Sequence, residues 1–142
     1  MTLEELQAQA EKDLKIDDTQ LDVESLNSPI LHAKYLKHFS TYSLMLTKAK
    51  SEYSQLYKSK WLFYLGKAEP EAYKDNNFEL KVLRQDVGTF IEADEEIIKQ
   101  TQKVSYLKTV CNYLENTLKQ VNNRGFQIKN AIDWKRFTEG SM

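Results

Sequence analysis

Residues 104–132 read VSYLKTVCNYLENTLKQVNNRGFQIKNAI, and the spacing of apolar residues in this stretch decides the fold class. These residues return in alternating steps of three and four, without a slip, over roughly four heptads. The repeat predicts a long helix with a coiled-coil seam, which makes the seam our candidate for oligomerisation. The seam residues are Val104, Leu107, Cys111, Leu114, Leu118, Val121, Gly125, Ile128 and Ile132.

The first thirty residues carry further helix signals. Thr2 precedes two glutamates and is a suitable N-cap, so we expect a short helix from Leu3 to about Leu14. Asp17–Thr19 predicts a break or a new cap. Ser28 as a cap, with Pro29 in the first turn, predicts the start of a long helix over about 29–65.

The stretch between the two long helices carries loop signals. Residues 66–78 contain a glycine, a proline and the run Asp75-Asn76-Asn77, and we expect a loop there with helix resuming near Phe78. Thr89 is a candidate cap for the last helix, because Glu92 lies three residues on as in a capping box.

The fold class that follows is all-α, with two long helices forming a helical hairpin in one domain over 1–142. Only 4 Gly and 2 Pro are present, too few turn residues for an all-β fold. The seam favours association with copies of the chain, and an antiparallel hairpin within one chain is the alternative. The predicted parts are an acidic N-terminal arm (1–27), a basic aromatic helix (28–66), a linker and short helix (67–88) and a long C-terminal oligomerisation helix (89–138).

Charge is distributed in blocks although the net charge is only −1. Residues 1–28 hold two lysines against eight carboxylates, while 29–67 hold seven lysines against Glu52 alone. Residues 68–100 hold four cations against nine carboxylates, and 101–142 hold seven against three. Such asymmetry suits a polyanion, a partner protein or self-association between unlike blocks.

The sequence motifs typical of metal-binding proteins, of enzymes and of membrane proteins are not found here. Cys111 is the only cysteine, and His32 and His38 do not share a helical face, so no metal site is assigned. No phosphate-binding glycine loop or nucleophile–base spacing is present, and we assign no catalytic residue and no cofactor. The acidic start is unlike a signal peptide, and the longest apolar run, Trp61–Leu65, is too short to cross a membrane. We therefore expect a cytoplasmic protein with no membrane partner.

The segment 48–67 is the candidate site, because lysines and aromatic residues lie close on one helical surface there by spacing. These residues are Lys50, Tyr53, Tyr57, Lys60, Trp61 and Tyr64, with Lys58 one step to the side. Lysines bind phosphates, and aromatic faces stack on unpaired bases, which favours single-stranded DNA. The alternative is that Tyr53, Leu56 and Phe63 form core and the lysines are a solvated face. The DNA-binding candidates are Lys50, Tyr57, Lys58, Lys60, Trp61, Tyr64 and Lys67.

Asn122–Phe126 interrupts the seam and has two interpretations. It is either a packing glycine beside a surface Arg124 or a contact point for a partner, and the first is favoured. Gly125 either lets another helix approach closely or marks a kink.

The chain resembles the UvsY family of recombination mediators of T-even-like bacteriophages along its whole length. The N-terminus carries Leu3–Gln7, Lys12-Asp13 and Ile16-Asp17. The middle carries Lys58-Ser-Lys60, Phe63-Tyr64 and Gly66-Lys67, and the C-terminus carries Arg124–Lys129, Arg136-Phe137 and Glu139-Gly140. The second basic position is often arginine in the family, and Leu62 stands where a polar residue is possible.

The resemblance implies a non-enzymatic mediator of homologous recombination and repair in the infected bacterial host. Its implied partners are single-stranded DNA, a RecA-like phage recombinase (UvsX-like), the phage single-strand DNA-binding protein and the chain itself. The family's DNA contacts correspond to Lys58 and Lys60. Its oligomerisation region corresponds to the C-terminal seam, which implies a homo-oligomeric ring or barrel, a hexamer or heptamer.

Two other functional classes give different expectations. A structural or adaptor coiled-coil oligomer would show no salt-sensitive affinity for DNA. A carboxylate metalloenzyme would use acidic residues such as Glu92, Glu95 and Glu96, although a solvated acidic face is the commoner explanation for such a cluster.

Overall fold

The computed structural model describes residues 1–74 and 82–140, and the predicted resumption of helix near Phe78 lies outside them. The described chain forms four α-helices and no strand, so the all-α prediction is confirmed. The helices are α1 (Leu3–Asp13), α2 (Leu21–Tyr64), α3 (Val87–Glu92) and α4 (Glu95–Thr138), with 3₁₀ turns at Pro70–Tyr73 and Arg84–Asp86.

The chain divides into two compact regions. The terminal region comprises Met1–Ser43 and the chain from Thr109 onwards, and the central region comprises Leu44–Lys108. None of the helices in the described residues carries an apolar stretch long enough to cross a membrane.

Helix α1 begins where the sequence predicts. Thr2 Oγ1 accepts a hydrogen bond from the Glu5 N–H at 3.2 Å, and Glu5 Oε2 accepts one from the Thr2 N–H at 2.9 Å. This reciprocal capping box satisfies two N–H groups that the first helical turn leaves without partners.

Helix α2 begins at Leu21, so the prediction that Ser28-Pro29 starts it is wrong. Pro29 lies inside the helix, where its ring removes one backbone hydrogen bond. Leu21 is buried in the terminal region. Burial of Leu21 outweighs the local start signal, because most helical stability in proteins comes from packing.

The last helix is capped by Asp94 and not, as predicted, by Thr89. Thr89 lies inside α3, which ends at Glu92. Asp94 Oδ1 accepts hydrogen bonds from the N–H groups of Glu96 at 2.9 Å and Ile97 at 3.3 Å. Aspartate is among the strongest N-cap residues, and its charge suits the positive end of the helix dipole.

Each region has its own core. In the terminal region the largest buried side chains come from α1, α2 and α4, and include Leu6, Tyr35, Val110, Leu114 and Arg124. In the central region a smaller cluster is formed by Val87, Ile91 and Ile97.

Candidate nucleic-acid interface

The second half of α2 directs its aromatic side chains onto the core of the central region. Tyr53 and Leu56 pack against the core cluster of the central region, as the core alternative predicts, whereas its third member, Phe63, stacks on the Tyr73 ring with 4.9 Å between ring centres. Among the DNA-binding candidates, three aromatic residues also pack on the core cluster while remaining partly accessible. They are Tyr57, Trp61 and Tyr64.

Asp94 joins the end of α2 to the start of α4. Its Oδ2 accepts a hydrogen bond from the Tyr64 hydroxyl at 2.7 Å and lies 3.3 Å from Lys60 Nζ. Burial alone would raise the pKa of Asp94, but hydrogen bonds from Tyr64, the Ile97 N–H and Lys60 outweigh burial and lower it. Burial and the bond to Asp94 raise the pKa of Tyr64 to about 12.

Lys60 is therefore ion-paired within the central region. Its ammonium lies 3.3 Å from Asp94 and 3.5 Å from Glu96 Oε1, and its side chain is only 16% exposed. It also lies 5.7 Å from the centre of the Phe63 ring. A phosphate that approaches Lys60 must compete with two carboxylates.

Lys58 is in a different environment although it lies only two residues away. Two residues correspond to a turn of about 200° around the helix axis, which places Lys58 away from Lys60. Lys58 is exposed, as are Lys50 and Lys67, and among the described residues none of the three forms an ion pair. These ammonium groups are available to an anion.

Gly66 fixes the end of α2 and the position of Lys67. Its φ of 74° lies in the left-handed region that glycine adopts without strain. The Gly66 N–H donates to Phe63 O at 3.0 Å and the Lys67 N–H to Leu62 O at 2.9 Å. This is a Schellman motif, and it places Lys67 immediately beyond the last turn of α2.

The one carboxylate within the basic segment is neutralised. Glu52 Oε2 lies 3.6 Å from Lys103 Nζ and 3.5 Å from Gln100 Nε2. Gln100 Nε2 also donates to Ala49 O at 2.9 Å. The negative charge of Glu52 is thus compensated by Lys103 of α4.

The predicted seam divides into a buried part and a partly accessible part. Leu107, Cys111, Leu114, Val121 and Ile128 are buried within the chain. Val104, Leu118 and Ile132 are partly buried, and Gly125 is exposed with open space around an added Cβ. One side of the seam therefore completes the chain's own core.

Arg124 is the residue that sequence reasoning placed wrongly, since it is 1% exposed and not at the surface. Its guanidinium donates to Glu24 Oε2 at 3.0 Å, Leu14 O at 3.1 Å, Asp13 O at 3.4 Å and Ser28 Oγ at 3.4 Å. It thereby satisfies carbonyls that the C-terminus of α1 leaves free.

The signal that would have located Arg124 is a second stripe on α4. Val110, Leu114, Thr117, Val121, Arg124 and Ile128 are all buried and follow the same steps of four and three. The two stripes share every seventh residue, and apolar spacing alone favours the one with fewer polar members.

Comparison with known proteins places the chain in a family. The profile described as "Recombination, repair and ssDNA binding protein UvsY" matches residues 9–141. The chain belongs to the UvsY family. It is 25% identical over 140 residues to the recombination protein uvsY of Enterobacteria phage T4, with 99% of both chains covered.

Solved UvsY structures agree with the fold. One crystal form of the bacteriophage T4 recombination mediator protein UvsY matches with a TM-score of 0.81 at 25% identity, covering 97% of this chain and 99% of that one. A second form matches with a TM-score of 0.85 at 24% identity, covering 98% of both. The function of the chain accordingly lies in recombination, repair and single-stranded DNA binding, as the UvsY family description states.

Proposed function

We propose that this UvsY-family chain is a recombination mediator that binds single-stranded DNA through the basic segment of α2. The observation that supports this most is the exposure of Lys50, Lys58 and Lys67, which form no ion pair among the described residues. In this role the chain is an accessory protein and not an enzyme, and it acts in the cytoplasm of the infected host.

The DNA contacts we propose divide into two kinds. Lys58 is the principal phosphate contact, with Lys50 and Lys67 extending the positive surface along α2 and past its end. Lys60 contributes when a phosphate displaces its carboxylate partners. The accessible parts of Tyr57, Trp61 and Tyr64 contact bases, since stacking on an aromatic face does not depend on base identity.

Self-association is the second element of the proposal. The partly accessible side of the seam within the terminal region, which includes Leu118, Gly125 and Ile132, is the surface we assign to contact with other copies in a hexameric or heptameric ring. A ring repeats the basic segment on every subunit, and effective concentration then converts weak contacts into tight binding. Such a ring would compete with a single-strand DNA-binding protein and help a RecA-like recombinase to assemble.

The DNA-binding part is tested by fluorescence anisotropy of a labelled single-stranded oligonucleotide at several salt concentrations, with a duplex control. Tight, salt-sensitive binding that prefers the single strand is expected. Lys58→Ala should weaken it by about fivefold at 0.1 M salt for each subunit that contacts the strand, because each lost phosphate contact makes the salt slope shallower by about 0.7. Lys37→Ala is the matched control, since Lys37 is an exposed lysine on the same helix in the terminal region.

The self-association part is tested on Leu118 and Ile132, because both are only partly buried. Leu118→Asp with Ile132→Asp should lower the mass measured by light scattering while circular dichroism still reports a folded helical chain. Leu114→Asp is unsuitable, since Leu114 is fully buried and its replacement would unfold the terminal region. An oligomer of unchanged mass would remove the seam from the interface.

The mediator step needs its own measurement. With single-stranded DNA covered by its binding protein, addition of the chain should restore the DNA-dependent ATPase activity of a RecA-like recombinase. An oligomer that neither binds DNA nor restores this activity would favour the adaptor alternative.

A further inference from the structure

A groove in the central region lies between the second half of α2 and the first half of α4. It has a volume of about 380 Å³, within the range of small-ligand sites, which is about 300–1,000 Å³. Its lining residues are Lys50, Tyr53, Ser54, Thr101, Val104 and Lys108. The lining contains two lysines, three hydroxyl groups and no carboxylate.

The two lysines of the groove come from different helices. Lys50 and Lys108 are both exposed, and within the described part of the chain neither forms an ion pair. The nearest carboxylate in sequence, Glu52, is held by Lys103 and Gln100 and does not line the groove. The groove therefore presents two positive charges, and its lining contains no carboxylate to balance them.

Tyr53 gives the same groove an aromatic wall. Its ring is half-buried, packs on the core of the central region and lies 6.1 Å from the Tyr57 ring. Because the core fixes one side of the ring, the side that lines the groove is held in place for stacking. A second groove that also includes Tyr53 is lined by Glu92 and by no lysine, so it does not suit an anion.

The groove continues the surface that the proposed function uses. Lys50, Ser54 and Lys58 follow one another in steps of four along α2, so they lie on one side of the helix over about 12 Å. A chain of phosphates bound at Lys58 can therefore reach Lys50 without crossing the helix.

We propose that this groove binds one nucleotide unit of single-stranded DNA, with Lys108 and Lys50 on the flanking phosphates and the Tyr53 ring against the base. The inference rests on the proposed function. It adds two contacts, Lys108 and Tyr53, that are not among the DNA-binding candidates predicted from the sequence. It also extends the path of the strand from α2 onto α4.

The test compares Lys108→Ala with Lys99→Ala in the anisotropy titration. Lys99 lies nine residues earlier on the same helix, half a turn away around its axis, and is also exposed. Lys108→Ala should weaken single-strand binding about fivefold at 0.1 M salt for each subunit that contacts the strand and make the salt slope shallower, and Lys99→Ala should change neither. Equal binding by the two variants would overturn the groove assignment.

The outcome separates this inference from the proposed function. If the wild-type chain binds no single strand, both fail. If Lys58→Ala weakens binding while Lys108→Ala matches Lys99→Ala, only the groove assignment fails. If Lys108→Ala instead lowers the mass by light scattering, a second copy occupies the groove and the assignment is also overturned.

Two further measurements define the ligand. An oligonucleotide carrying 5-iodouracil, irradiated in the complex, should form a cross-link that peptide mass spectrometry places at Tyr53. Cross-links found only at Trp61 would overturn the Tyr53 contact. A deoxynucleoside monophosphate at equal phosphate concentration should not displace the strand, because it cannot use repeated contacts. Displacement would make the groove a site for free nucleotides and overturn the strand assignment.

Discussion

The terminal and central regions each use one carboxylate to hold a lysine and a tyrosine. In the terminal region, Asp13 Oδ2 lies 2.6 Å from Lys34 Nζ and accepts the Tyr35 hydroxyl at 2.8 Å. In the central region, Asp94 holds Lys60 and Tyr64 in the same way. The difference lies in helix position, since Asp13 ends α1, where the dipole opposes a negative charge, whereas Asp94 caps the start of α4, where the dipole favours it.

The two regions also differ in how deeply they bury their cations. The terminal region contains the buried Arg124, which pairs with Glu24 and supports the C-terminus of α1. The central region keeps Lys60 near the surface and leaves Lys58 exposed. Paired charges support the fold in both regions, and in the central region Lys58 is also exposed and forms no ion pair among the described residues.

The largest expected effect is the loss of stability on removing Arg124. Arg124→Ala leaves the Glu24 carboxylate and three backbone carbonyls without their buried partner and should lower the free energy of unfolding by about 3–5 kcal/mol. Urea unfolding at one fixed protein concentration measures this, because association couples to stability. Arg136→Ala, an exposed arginine on the same helix, should change it by less than about 0.5 kcal/mol. An equal loss in both variants would contradict the buried network.

The next effect separates the two lysines of the basic segment. Lys60→Met removes the cation from Asp94 and should destabilise the chain by about 1 kcal/mol, whereas Lys58→Met should leave unfolding within about 0.5 kcal/mol of wild type. Thermal unfolding followed by circular dichroism measures this. For DNA affinity the order should reverse, with Lys58→Met the more damaging. If the same variant is the more damaging one in both thermal unfolding and DNA binding, the two lysines do not have the distinct roles proposed here.

A smaller effect of opposite sign is expected at Gly125. Open space surrounds an added Cβ there, and alanine is favoured over glycine within a helix by about 0.5–1 kcal/mol. Gly125→Ala should therefore stabilise the folded chain. If another copy packs closely on this position, light scattering will report a reduced mass in the same variant, whereas unchanged mass would exclude such close packing.

The smallest effect is on pH dependence. The pKa of Asp94 is lowered in the folded chain, so the charged carboxylate contributes stability above its unfolded pKa, and this is lost as pH falls through the folded pKa. Asp94→Asn retains an N-cap and should flatten the fall of stability below about pH 4. Asp133→Asn, at an exposed aspartate, is the control. Identical acid profiles for wild type and Asp94→Asn would contradict the role of this carboxylate.

Local signals in the sequence were sufficient for part of the fold. The capping box of Thr2 and Glu5 lies within one helical turn, so its residues predict it directly. The break or cap signal at Asp17–Thr19 lies just before the observed start of α2 at Leu21. The start predicted at Ser28-Pro29, by contrast, is overridden by tertiary contacts such as that of Glu24 with Arg124, which joins positions 100 residues apart. No local pattern contains that contact.

The candidate site was predictable in composition and not in geometry. The sequence identifies a basic aromatic segment, but the pairing of Lys60 depends on Asp94, which belongs to the next helix. The seam was ambiguous for a different reason. Leu114, Val121 and Ile128 belong to two overlapping stripes, and Thr117 and Arg124 in one of them make that stripe look polar.

The buried pair formed by Glu24 and Arg124 also has a consequence for how related sequences can diverge. Changing either residue alone leaves a charge without its counter-charge, which is strongly destabilising, whereas a double exchange avoids this penalty provided that the Asp13 and Leu14 carbonyls find another donor. Evolution at positions 24 and 124 is therefore expected to proceed by paired exchange. An alignment of many UvsY-family sequences should show that positions 24 and 124 co-vary, because the two side chains are in contact.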